Sequence, residues 1–415
     1  LEGRGGVGPC GTFDASGFAS PFVAQLPADR FDVRQVVPKS YRKATKVMSR
    51  DIELAVGAAQ EAVRTAGLVT KAHEPADGKV TIPADRMGCH IGAGLIAAEE
   101  NELTAALATS RKADGSFDIG AWGATGMQNL TPLWMLKYLP NMLACHVTIC
   151  HDCQGPSNTI TCGEASALLS IGESMRVIGR GAADACLSGG AESKVNLMAL
   201  LRQQFAGRLA KAAAGDDPSK VVRPFAKDAT GGVAGEGGGI LVLEAAETAA
   251  ARGAAVMAEL AGFGASQSFC ADTVGADPCR DGQGIADVMQ VALADAGMKP
   301  DEIDAVVPFG CGAPAMDAAE AAAIRGVFGN RAATLPLITL SPLIGSCGAG
   351  FGAVAASVAV QCLRTGMLPA RLNGDASMGV DAAAAPARKA DLKAVLVCTP
   401  SLGGQNAAIV VRRMA

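Results

Sequence analysis

The chain sets out the same order of elements twice, and this repetition limits the folds open to it more than any other feature. Ile52 to Gly67 (IELAVGAAQEAVRTAG) places apolar residues at helical spacing and stops at a glycine. The segment 86–94, RMGCHIGAG, reads as a short buried strand running into a glycine turn. In the second half Val288 to Gly297 (VMQVALADAG) repeats the helix down to its Ala-Gly ending. Ala305 to Gly312 (AVVPFGCG) repeats the strand and turn. Asn158 to Cys162 (NTITC) predicts a β-branched strand and Ala165 to Ile178 a small-residue helix, echoed by the glycine-rich run 346–363. Ala185 to Gly189 reads as a strand entering a glycine turn, and Ile240 to Glu244 closes the first half. A helix is expected near 101–112, then a long irregular stretch, 113–140, with both tryptophans. AVLVCTP and AAIVVRR, joined by SLGGQN, form a terminal β-hairpin. Strands alternating with helices in two copies imply α/β architecture with internal duplication.

Composition narrows the function. Of 415 residues 49% are hydrophobic and 51 are glycine, which suits close packing of helices on sheets. The net charge is −4 with no long run of one sign, which argues against nucleic acid or an anionic membrane as partner. No uncharged apolar run reaches the roughly 18 residues of a membrane span, and no secretory pattern opens the chain. The 13 cysteines are scattered through apolar strings, such as Cys186 in ACLSGG and Cys398 in VLVCTP, and read as reduced packing residues of a cytosolic protein. The chain begins on LEGRGGVGPCGTF, a glycine-rich loop with no strand before it.

Two local strings invite a cofactor or metal. GEGGG at 235–239 lacks a following Lys-Ser/Thr or an intact GxGxxG opening a helix, so it reads as a tight turn before ILVLE. Cys145-His146 through Cys150-His151-Asp152-Cys153 offers two ligand pairs, but no second cluster with zinc-finger spacing follows. Neither a cofactor nor a metal is expected.

Several strings in order along the chain resemble β-ketoacyl-[acyl carrier protein] synthases, or ketosynthases. They are Gly155-Pro156-Ser157 before an elbow and helix, GRGAADACLSGGAES at 179–193, and RPFAKDATGGVAGEGGGILVLE at 223–244. DAAEAAAIRGVFG at 317–329 and SLGGQN at 401–406 complete the set. The resemblance implies the five-layered αβαβα thiolase-like fold, two internally duplicated halves at 1–250 and 251–415, and a dimer. It also implies an opening strand, central in its sheet, that this stretch lacks.

A ketosynthase needs a thiolate at a helix N-terminus and two histidines that stabilise the enolate and the developing oxyanion. Both family histidines come from the second half, yet all four histidines here, His73, His90, His146 and His151, lie in the first 151 residues. Counted from Gly155-Pro156-Ser157, the nucleophile position falls on Glu164. Counted back from Asp317 and Glu320, the first histidine position is Phe309. In GSCGAGFGAV the second is Ser346, and the lysine five residues earlier is Ser341. The phenylalanine gate corresponds to Leu402. Cys162, two residues before the elbow, is the alternative nucleophile; it is expected to sit in the strand as a buried packing thiol. Glu164 is read either as an acidic cap on the helix N-terminus or as a general base.

The resemblance thus implies a non-condensing protein similar to chain length factors. Its role would be partner or scaffold of an active ketosynthase and acyl carrier protein, in a homodimer or heterodimer. The alternative is an acyl-carrier-protein-dependent decarboxylase or thioester hydrolase using Glu164. A strongly shifted Glu164 in an open tunnel would favour the enzyme and a plugged tunnel the scaffold.

Overall fold

The computed structural model describes residues 2–27, 29–75, 78–269 and 281–414. In the first half β1 (Val7–Pro9), β2 (Phe22–Ala24), β3 (Met87–Ala93), β4 (Ser157–Ile160), β5 (Ala185–Ser193) and β6 (Ala234–Glu244) form one sheet. Their order is β1-β2-β6-β5-β3-β4. In the second half β7 (Glu259–Gln267) and β8 (Ala305–Val307) join a terminal pair in a second sheet. Between them in the chain β9 (Met367–Leu368) and β10 (Arg388–Lys389) make a two-stranded ribbon. The terminal pair is β11 (Ala394–Pro400) and β12 (Gln405–Arg412), the antiparallel hairpin expected from the sequence. The order in this sheet is β7-β12-β11-β8.

The duplication is visible in the pairing. β6-β5-β3-β4 in the first sheet matches β12-β11-β8 in the second, continued by a parallel bridge from Val306 to Leu337. Two helices, Ser166–Gly179 and Phe351–Thr365, pack between the sheets and touch strands of both. Arg50–Thr65 and Met142–His151 cover the outer face of the first sheet, and Gln283–Asp295 with Pro314–Phe328 covers the second. This is the five-layered αβαβα arrangement. Alanine-rich faces carry it: Ala353, Ala355, Ala356 and Ala359 are buried on one central helix, so it approaches both sheets closely. Among the described residues no helix is long and apolar enough to cross a membrane.

Three local expectations fail. The stretch 113–140 is not irregular throughout but holds the helix Ile119–Ala124 and short 3-10 turns, one of them Trp134–Tyr138. Neither glycine run is a turn: β5 continues through Gly189-Gly190 and β6 runs straight through Gly237-Gly238-Gly239. These glycines serve close approach instead. A Cβ on Gly189 would overlap the Gly239 carbonyl oxygen, and one on Gly190 the Ala349 carbonyl oxygen. The strand that opens the second half is not central either. β7 (Glu259–Gln267) lies at the sheet edge, paired antiparallel with β12. In the first sheet the corresponding flank of β6 carries β2, paired only at Ala234 and Gly235.

Candidate active-site cleft

β4 ends at Ile160, and the chain then turns through a 3-10 segment, Gly163–Ala165, into the central helix Ser166–Gly179. Gly163 takes φ 55°, a left-handed conformation that glycine adopts at no steric cost. Glu164 sits inside this elbow, 3% exposed. Its Oε1 accepts from Lys194 Nζ at 3.1 Å and from Arg208 Nη1 at 3.3 Å. Lys194 follows directly on the end of β5, and Arg208 follows the helix Leu197–Phe205 after a turn at Gly207. Gln203 Oε1 accepts a second bond from Arg208 Nη1 at 3.4 Å.

Burial by itself would raise the Glu164 pKa, but the charges of Lys194 and Arg208 outweigh it and hold the carboxyl down at about 2. Burial pulls the Lys194 ammonium pKa down, while Glu164 and Glu192 more than reverse this, leaving it raised. Glu192, the second carboxylate acting on Lys194, accepts from the Ala349 N–H through Oε2 at 2.7 Å. Glu164 is therefore an ionised, paired carboxylate. Neither the elbow nor the helix after it has a side-chain cap bond, and apart from its own backbone N–H the donors to the Glu164 carboxylate are the two cations.

From the second half, the loop after β8 brings Phe309 over the elbow. Its ring packs edge-on against Phe351 with centroids 4.9 Å apart and planes at 88°. The loop backbone is held by two buried carboxylates of the helix Pro314–Phe328. Glu320 accepts from the N–H groups of Phe309 (2.8 Å) and Gly310 (2.7 Å), and Asp317 from those of Gly312 (3.1 Å) and Phe225 (2.8 Å). Burial pushes Asp317 up to about 7 and Glu320 to about 8, against the lowering effect of these bonds. Ser341 lies behind the loop, its Oγ donating to the Phe309 carbonyl at 3.0 Å. Ser346 is fixed by its backbone, its N–H donating to Val233 O at 2.9 Å.

These segments line one small cleft with a cavity volume of about 30 Å³. Glu164, Lys194, Arg208, Gln203, Cys311 and Ser346 supply its polar wall, and Leu209, Val233, Phe309 and Leu402 its apolar one. Four of the positions read from sequence thus meet in one place: Glu164, Phe309, Ser346 and Leu402. Ser341 stands one layer behind. Cys162 does not line the cleft and lies beyond the strand, half-buried at the elbow, because β4 stops two residues earlier. Its N–H donates to Ser166 Oγ at 2.8 Å, and burial raises its thiol pKa. It is neither the strand residue nor the fully buried thiol expected.

None of the four histidines lines the cleft. His90 bonds Ser174 at 2.9 Å, His146 the Tyr41 hydroxyl at 2.8 Å, and His151 Thr70 at 2.9 Å, while His73 Nδ1 accepts from the Thr70 N–H at 3.1 Å. The cysteines of the 145–153 segment are free thiols, and no group of three or more His, Cys, Asp or Glu among the described residues is placed to hold a metal ion. Sequence reasoning missed Lys194 and Arg208. The available signal was the acid itself, since a glutamate at a buried elbow requires a cation.

Two family models span most of the chain: Beta-ketoacyl synthase, N-terminal domain, over residues 6–249, and Beta-ketoacyl synthase, C-terminal domain, over 257–375. The chain belongs to the β-ketoacyl synthase family. It is 30% identical to 3-oxoacyl-[acyl-carrier-protein] synthase 2 of Vibrio cholerae, an alignment covering 100% of this chain and 93% of that protein. The enzyme of the same name from Synechocystis is 28% identical, with 100% and 92% covered. Among solved structures, the ishigamide ketosynthase/chain length factor superposes with a TM-score of 0.81 at 28% identity, covering 100% of this chain and 93% of that one. A beta-ketoacyl synthase from Burkholderia phymatum gives 0.79 at 25% identity over the same shares. The ketosynthase strings in the sequence and the thiolase-like layering agree with this family.

Proposed function

We propose that this β-ketoacyl synthase family member does not itself condense acyl groups. It serves fatty acid or polyketide synthesis as the partner or scaffold of an active ketosynthase and an acyl carrier protein, as a chain length factor does. The observation that carries this reading is the state of Glu164. At the elbow where the resemblance implies a thiolate, a buried carboxylate is locked to Lys194 and Arg208. A carboxylate held at about 2 is a poor base at neutral pH, where a useful base is poised near 7. The shift is strong but downward, which weighs against the decarboxylase or hydrolase reading. Phe309 and Ser346, at the implied histidine positions, offer neither a titrating group nor an imidazole N–H for a developing oxyanion.

Features of the surface support these partners. β4 is the edge of its sheet, with Ser157 and Asn158 exposed, and Ile149 on the preceding helix is 53% exposed. An edge of this kind is normally covered, here by a second copy or by an active ketosynthase. Lys39, Arg42, Lys43 and Lys46 form an exposed basic row suited to an acidic carrier protein. The test is turnover of acyl and malonyl thioesters on acyl carrier protein, read by mass spectrometry. The purified chain should give no ketoacyl product, and Glu164→Cys should not restore it. Product formation by the chain alone, abolished by Cys162→Ala, would overturn the reading.

A further inference from the structure

The helix Leu197–Phe205 is clamped at both flanks by one atom. Lys194 stands three residues before its first residue and Arg208 three after its last, and both donate to Oε1 of Glu164, at 3.1 and 3.3 Å. Gln203, on the helix itself, lines the cleft and accepts from the same Arg208 nitrogen at 3.4 Å. Between these clamps the helix is lightly seated. Of its nine residues only Ala199 and Leu200 are buried, while Leu197, Met198 and Phe205 are exposed. Leu200 joins a small apolar cluster with Val23, Val195 and Ala234, and Gln204 Oε1 accepts from the Ala19 N–H at 2.7 Å. The joints at its ends are Asn196, in extended conformation, and Gly207, at φ 66°. Outside these joints the backbone is pinned: the Lys194 N–H donates to the Gly235 carbonyl at 3.0 Å, and the Gly232 N–H to the Arg208 carbonyl at 2.8 Å. A lightly buried segment between two fixed points is the kind that opens ahead of the core.

Closed, the cleft has no room for a ligand. Its cavity of about 30 Å³ admits a water or two, an order of magnitude below the roughly 300–1,000 Å³ of small-molecule sites. Gln203 and Arg208 form part of its wall. We propose that the helix Leu197–Phe205 is a lid on the elbow cleft, held shut by Glu164 through its grip on Lys194 and Arg208 at the two flanks. Without the Glu164 charge, Glu192 still acts on Lys194, so Arg208 is the cation that loses its carboxylate. Arg208 is also the more exposed of the two, and its way out to solvent carries Gln203 with it. This inference goes beyond the non-condensing reading and stands whether or not that reading holds, because motion and access are measured without turnover.

The experiment is amide hydrogen exchange of the full chain at pH 7, read by mass spectrometry, with maleimide labelling of Cys311, a half-buried thiol in the cleft wall. In the wild type, peptides covering 197–207 should exchange ahead of those from the central helix Ser166–Gly179. In Glu164→Gln the 197–207 peptides should speed up by about tenfold or more, beyond any change in the core strands, and Cys311 should label faster. Arg208→Gln frees one flank and leaves Glu164 on Lys194, so it should speed the same peptides by a smaller factor. Arg252→Gln breaks an ion pair with Glu244 at the far end of β6 and should leave both readouts unchanged. The wild-type comparison stands even if a variant fails to fold. Equal protection of lid and central helix in the wild type overturns the proposal. So does exchange of 197–207 in Glu164→Gln that is unchanged or rises only in step with the core, or Cys311 labelling that does not follow it.

Discussion

Glu164→Gln removes one charge from the elbow and keeps its shape, so its cost measures the ion pairs directly. The carboxyl moves from 4.5 to about 2 on folding, a difference of 2.5. At roughly 1.4 kcal/mol per pKa unit this amounts to about 3 kcal/mol at pH 7. That lies at the lower end of the roughly 3–5 kcal/mol lost when one partner of a buried pair is removed. The sign is fixed by the direction of the shift. A depressed carboxyl stabilises the fold above its unfolded value of 4.5, and the contribution disappears as pH falls toward 2. Urea unfolding of wild type and variant, at one protomer concentration, should therefore show a gap of about 3 kcal/mol at pH 7 that narrows below 4.5. Adding Lys194→Met completes a double-mutant cycle, with a coupling on the order of 1 kcal/mol or more expected. A gap under about 1 kcal/mol at pH 7, as for exposed ion pairs, would refute the view that Glu164 is held by its two cations. So would a gap that does not change with pH.

Two further outcomes test the packing. Gly190→Ala places a methyl on the Ala349 carbonyl where the central helix layer meets β5, so it should lower stability by at least about 1–3 kcal/mol; a neutral result in thermal unfolding would contradict the close approach drawn here. His151 is buried and neutral, its pKa pulled from 6.5 to about 4 by burial and then by His73. The unfolded chain takes up this proton first, so stability should fall as pH drops from 6.5 toward 4, by about 3 kcal/mol for this residue. His151→Gln should flatten that part of the pH–stability curve, and an unchanged slope would show that the imidazole is not desolvated.

What the sequence determined by itself is what depends on neighbours along the chain. The helix Arg50–Thr65, the terminal hairpin β11–β12 and the doubled strand–helix order were legible because periodicity and turn residues act over a few positions. Anchored strings also singled out Glu164, Phe309, Ser346 and Leu402, and all four line one cleft. The glycine runs were misread because glycine signals a tight turn and a close interlayer contact in the same way. Only the packing of β5 on β6 and on the Gly348–Gly350 turn distinguishes the two. Cys162 fell outside the strand because a boundary two residues off moves a side chain from a sheet face to a bend. The state of the site was decided by tertiary structure alone. Lys194 and Arg208 lie 30 and 44 residues from Glu164, with a helix, a strand and a further helix intervening before the second. No local pattern says which cation will neutralise a buried acid, because the attraction acts through space and only the folded layers bring the three charges together.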